Sequence, residues 1–293
     1  MKKSNTIGHL LSLFTVLIWG TTFISTKVLL IDFQPVEILF FRFIIGLAAL
    51  SIACPHRFKA KDKKHEIYFA FAGLSGITLY FLFENIALTY TLASNVGVIV
   101  SAAPIFTAIL TYFFMKEEKL RLHFFIGFVI AMAGVSLISF NGSRLQLNPA
   151  GDILALLAAV VWAVYSLLIK KIGGFGYSII QATKHTFGYG ILFMIPALFL
   201  LDFKIGPERF ADPVNLFNIL YLGLGASALC FATWNYAVKI LGAIKTSVYI
   251  YMVPLVTVIM SIVILHEEIT PMAVSGIFLI LIGLVISEGR RKR

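Results

Sequence analysis

Residues Gly73–Glu118, GLSGITLYFLFENIALTYTLASNVGVIVSAAPIFTAILTYFFMKEE, are answered 150 positions later by Gly223–Glu268, GLGASALCFATWNYAVKILGAIKTSVYIYMVPLVTVIMSIVILHEE. Asn85, Pro104 and Glu117-Glu118 of the first stretch correspond to Asn235, Pro254 and Glu267-Glu268 of the second, with 19 residues from Asn to Pro and 13 from Pro to the first Glu in both. Gly73 and Gly223 each stand 12 residues before their Asn. Farther out, Trp19 to Lys27 and Trp162 to Lys170 both span eight residues. Self-similarity of this kind marks a duplicated structural unit, and in an apolar chain it points to a pseudo-symmetric transporter.

Apolar character is the next constraint. Hydrophobic residues make up 59% of the chain and charged residues 13%, beyond the roughly 45–50% apolar content of water-soluble domains. Ten apolar stretches approach the ~20 residues that a hydrocarbon core requires: 9–30, 35–54, 67–91, 95–115, 122–140, 150–169, 177–201, 214–238, 246–265 and 271–287. The first follows Lys2-Lys3 like the basic start of a signal peptide, but it is too long and lacks a small-residue cleavage site, so it reads as a retained span. Backbone groups inside lipid must be satisfied within their own segment. The expectation is therefore an all-α integral membrane protein with ten transmembrane helices. Asn148-Pro149, Asp212-Pro213 and Thr270-Pro271 each place a capping side chain before a proline suited to a first helical turn.

The net charge of +10 follows from topology and calls for no nucleic-acid partner. With the N-terminus inside, 18 of the 24 Lys and Arg residues fall on the cytoplasmic side and three, Arg144, Lys204 and Arg209, fall outside. Lys27, Arg42 and Lys184 lie within spans. This asymmetry orients both termini toward the cytoplasm. Each copy holds five spans, an odd number, so the second must enter the bilayer upside down. Glu117-Glu118 then falls in a cytoplasmic loop and Glu267-Glu268 in an external one. The predicted units are 9–140 and 151–288, two inverted five-helix repeats with a substrate site near the midplane between them.

Other function classes find little support. Two cysteines, Cys54 and Cys230, build no disulfide framework. The six histidines form no ligand-spaced pair, so no metal site is expected, and no nucleophile sits beside a base. There is no phosphate-cradling loop, and no cofactor is expected. No filter motif or ring of like charges suggests a channel. The expected partners are a small-molecule substrate and the lipid bilayer; the sequence carries no sign of oligomeric state.

Trp19-Gly20, Phe23 and Lys27, then Phe41-Arg42-Phe43, then Glu84-Asn85, Ala87-Leu88, Tyr90-Thr91, Ala93-Ser94-Asn95 and Pro104, with Glu117-Glu118 and the Gly127/Gly134 pair, together resemble the EamA-type branch of the drug/metabolite transporter superfamily. The resemblance covers nearly the whole chain. It implies two inverted EamA repeats in a bacterial inner membrane and export of amino acids or related small metabolites. Proton-coupled export of lipophilic cations is the alternative. The second copy departs from the pattern at Trp162-Ala163 and at Trp234, which stands where the first copy has Glu84.

Intramembrane charges are functional candidates because each costs about 2.5–3.5 kcal/mol at mid-bilayer unless paired or hydrated. Glu84, Lys27 and Arg42 are placed at similar depth, either paired with one another or binding substrate, with the cations receiving a carboxylate and Glu84 an ammonium or a proton. Trp19, Trp162, Tyr165 and Trp234 are mid-span and form a candidate amphipathic wall. Asn85 and Asn235 are candidates for interhelical bridges and for substrate contact. Pro104 and Pro254 leave the carbonyls of Val100 and Ile250 without their usual N–H donor and should bend their spans there, which makes them candidate hinges. Gly127 with Gly134, and Gly276 with Gly283, recur on one helix face and suggest close packing. Gly97 is read the same way.

Overall fold

The computed structural model describes residues 2–56, 60–91, 93–115, 122–139, 148–201, 203–265 and 271–288. Among them the chain is helical, with no strand. The first copy contains α1 (Lys2–Leu29), α2 (Pro35–Ala53), α3 (Lys63–Gly73), α4 (Tyr80–Tyr90), α5 (Ala93–Val100), α6 (Ala103–Met115) and α7 (Leu122–Ser139). The second contains α8 (Pro149–Gly173), α9 (Ile179–Leu200), α10 (Pro213–Leu220), α11 (Cys230–Leu241), α12 (Ala243–Ser247), α13 (Met252–Leu265) and α14 (Pro271–Glu288). Helix starts obey local chemistry: Asn148 accepts from the amides of Ala150 and Gly151, and Asp212 accepts from Val214 at 2.7 Å. Each closes the orphan donors of a first turn that begins with proline.

Among the described residues, six helices are long and apolar enough to cross a membrane: Asn5–Leu29, Pro35–Ala53, Lys63–Tyr90, Val96–Met115, Pro149–Gly173 and Pro213–Leu241. Leu122–Leu137, Ala243–Thr257 and Val274–Ser287 are shorter apolar helices. α9 is 22 residues long and carries Lys184 and His185 in its first two turns. This is a multi-pass membrane protein.

Two irregularities recur in both copies. α3 and α4 are joined by a π-helical segment, Leu74–Leu79, and α10 and α11 by another, Tyr221–Leu229. Both begin within a residue or two of the equivalent Gly73 and Gly223. The second irregularity precedes each proline. Pro104 is the second residue of α6, and the chain tightens just before it, where Ala102 N donates to Ile99 O and Ile105 N to Ala102 O, both at 3.0 Å. Pro254 is the third residue of α13, after a 3-10 turn at Val248–Tyr251. A bend at mid-span is the sequence expectation; the structure has a break two to three residues before Pro104 and three to six before Pro254, because a proline interrupts the ladder on its N-terminal side.

The last helices of the two copies, α7 and α14, run antiparallel in contact. A Cβ added at Gly127 would lie 2.5 Å from Gly283 O, and one at Gly134 2.6 Å from Gly276 O. Only hydrogen fits between these backbones. Glu117-Glu118, Glu267-Glu268, Arg144 and the Thr270 cap lie outside the described residues.

Candidate functional site

A cavity of about 530 Å³, counting its open mouth, lies where α1, α2, α4 and α5 meet α8 and α13. Five aromatic side chains form part of its wall. Trp19 and Trp162 meet edge to face at 5.2 Å, and Tyr80 lies 4.8 Å from Trp162. Phe23 and Thr22 continue the α1 face, four and three residues after Trp19, and Phe81 lies three residues before Glu84. None of these neighbours was a candidate site residue from sequence, although Phe23 stands among the residues that carry the resemblance and helical spacing from Trp19 and Glu84 was the available signal.

Arg42 and Glu84 supply the charge. Arg42 is only 2% exposed, its Nε donates to Ser227 Oγ at 3.0 Å, and its Cζ lies 4.3 Å from the centre of the Phe81 ring. That stacking on an aromatic face offsets part of the desolvation of the cation. Glu84 is 6% exposed, and its Oε2 is buried without a hydrogen-bond partner among the described residues. Tyr80, one turn earlier, turns its phenol toward the same carboxylate. No ion pair within 4.0 Å joins Arg42 to Glu84, although each lies in the other's field and both line the cavity. The indole N–H of Trp162 is likewise buried and unpartnered. Buried polar atoms of this kind require an explanation, and a ligand is one.

The cavity exists partly because a side chain is missing. A Cβ built on Gly97 would meet nothing within 4 Å, so this glycine opens space rather than closing a helix contact as its sequence suggests. Ser101, Val100, Ile250 and Val253 complete the lining.

The remaining sequence candidates lie elsewhere. Lys27 is exposed in the last turn of α1, one turn beyond Phe23, where its charge faces the electronegative helix end; it does not line the cavity. Asn85 donates to Pro35 O at 3.2 Å, tying α4 to the start of α2. Tyr165 donates to Asn235 Oδ1 at 2.9 Å, and Asn235 donates to Thr183 at 3.0 Å. Trp234 is fully buried, 5.0 Å from Trp19. The eighth stretch, 214–238, contributes no lining residue, whereas the second contributes Arg42.

Each end of the bundle is tied between the copies. At the α1–α2 turn, Arg209 donates to the buried Glu37 at 2.6 Å and stacks on Phe33 at 4.3 Å. At the opposite ends of these helices, the Tyr177 hydroxyl accepts from Lys61 N at 2.7 Å, and His185 and Tyr189 both reach Glu66, at 2.6 and 2.8 Å. None of these ties was anticipated.

Known proteins place this architecture. A family model described as EamA-like transporter family matches residues 6–140 and again 149–288. An uncharacterized transporter of Archaeoglobus fulgidus is 30% identical over 90% of this chain and 91% of its own length. One from Clostridium kluyveri is 28% identical over 100% and 95%. A protein of Streptantibioticus cattleyicolor named as a probable terminal-alkyne amino-acid exporter is 25% identical over 99% and 95%. A solved crystal structure, 18% identical, shares the fold with a TM-score of 0.78 over 96% of this chain and 97% of that one. With a doubled family match spanning both copies and relatives aligned along their full lengths, the chain belongs to the EamA-like transporters of the drug/metabolite transporter superfamily.

Proposed function

We propose that this protein is a secondary transporter that exports amino acids or related small zwitterions from the bacterial cytoplasm by alternating access. In this reading ten spans cross the inner membrane as two inverted units, 9–140 and 151–288, with both termini cytoplasmic. The antiparallel contact of α7 and α14, equivalent helices of the two copies, supports the inversion. The observation that carries the substrate assignment is a single cavity offering a cation, Arg42, and an unpaired carboxylate, Glu84, within an aromatic wall. Arg42 receives the α-carboxylate, Glu84 the ammonium, and Trp19 and Trp162 an apolar side chain. The amino-acid exporter among the relatives favours the same class. No enzymatic step is assigned.

Export of lipophilic cations coupled to protons is a second reading, favoured by the lone carboxylate amid aromatic rings. Reconstitution into liposomes with a panel of amino acids, nucleosides and cationic dyes, with and without a pH gradient, separates the two. Amino-acid flux should require both Arg42 and Glu84. Cation flux that requires Glu84 and survives Arg42→Gln would replace the first reading with the second.

A further inference from the structure

Two cavity-lining side chains of the first copy are held by consecutive residues of the second. Trp19 donates its indole N–H to Ala226 O at 3.0 Å, and Arg42 donates Nε to Ser227 Oγ at 3.0 Å. Ala226 and Ser227 are fully buried and do not themselves line the cavity. Both belong to the π-helical segment Tyr221–Leu229, a geometry that often marks functional positions. Close approach makes the reach feasible. A Cβ on Gly46, one turn after Arg42, would lie 3.3 Å from Ser227 Cβ, and one on Gly223 would lie 3.2 Å from Arg42 O.

The chemistry of guanidinium gives this contact a consequence. One flat face of Arg42 is covered by Phe81, and Nε is engaged by Ser227. Neither Nη group donates to any described residue. The pair of Nη donors is therefore the edge left for a ligand, and that edge matches a carboxylate through two parallel hydrogen bonds. At the equivalent position of the first copy stands Ile77, which has no hydroxyl and packs against Gly190.

We propose that Ser227 is a positioning residue that presents the Nη edge of Arg42 to the cavity, so that a hydroxyl of the second copy sets the carboxylate specificity of a site built mainly by the first. This rests on the reading of Arg42 as the carboxylate receptor. It also makes that specificity depend on how closely the two copies approach.

The test uses the full-length protein in liposomes, with L-phenylalanine and L-phenylalaninamide as probes that differ in the carboxylate alone. Wild type should prefer the acid. Ser227→Ala should lower kcat/KM for the acid about tenfold, chiefly through KM, while the amide changes less than about twofold. Ser227→Cys, which keeps the side-chain size but offers a weak acceptor, should shift the ratio in the same direction, and Ser227→Thr should restore it. Equal losses for acid and amide, or no change in the ratio, overturn the positioning role. If wild type handles neither probe, shows no preference, or keeps its preference in Arg42→Gln, the reading of Arg42 fails and takes this inference with it.

Discussion

Glu84 and Trp234 occupy equivalent places in the two copies, yet their surroundings diverge. Around Glu84 the first copy leaves space: a Cβ on Gly97 would meet nothing within 4 Å, and the carboxylate lines the cavity. Around Trp234 the second copy is filled. Cys230, Phe231, Ser247 and Tyr251, the counterparts of Tyr80, Phe81, Gly97 and Ser101, are all fully buried. The cavity lining is paired only where the copies meet, Trp19 with Trp162 and Val100 with Ile250; beyond that the first copy contributes nearly all of it. A duplicated scaffold thus carries one polar site and one apolar plug. The cost of burying an acid is met once.

That contrast can be broken most severely at the plug. Trp234→Ala should destabilise the protein by about 3–5 kcal/mol, because a large buried ring is lost from a packed neighbourhood; thermal unfolding in detergent would detect it, and an unchanged transition would deny that the second copy is filled. Next in size is the polar site. Glu84→Gln and Arg42→Gln should each reduce amino-acid flux about 10- to 100-fold, the loss of a hydrogen bond to a charged group, with unfolding temperature retained. Full flux in either variant removes that residue from the substrate's path.

Glycines sharpen the comparison further. Gly76→Ala places a Cβ 2.1 Å from the Tyr165 ring and should cost about 1–3 kcal/mol by overpacking, whereas Gly97→Ala should be neutral or stabilising by up to about 1 kcal/mol. Gly97→Phe should abolish flux by occupying the cavity while leaving the unfolding temperature nearly unchanged. The smallest effect is optical. Trp19, Trp162 and Trp234 are the three tryptophans of the chain, and a bound substrate should quench emission modestly in Trp234→Phe but much less in a Trp19→Phe, Trp162→Phe double variant.

Much of this was readable before the structure. The register linking Gly73, Asn85 and Pro104 to Gly223, Asn235 and Pro254 carried the duplication, and mid-span polarity singled out Arg42, Glu84, Trp19 and Trp162, all of which line the cavity. What escaped has a common cause. In a membrane protein both lipid-facing and cavity-facing surfaces are apolar, so hydropathy gives no reason to separate Phe23 or Val100 from any other apolar residue. Depth alone also misleads: Lys27 lies near Arg42 by span counting, yet one further helical turn carries it past the cavity to the exposed end of α1. The π-helical segments were not read either, although Leu74–Leu79 holds Gly76 and Tyr221–Leu229 holds Gly223 and Gly225, poor helix formers that were the available signal. Ser227 looks like any small helix residue until Arg42 is seen on it.

The contact of α7 with α14 sets a limit on how the molecule can deform. At Gly127, Gly134, Gly276 and Gly283 the two main chains touch without intervening side chains, so no rotamer change can loosen the seam. Parting these two helices would mean breaking direct main-chain contact, so the seam behaves as one piece.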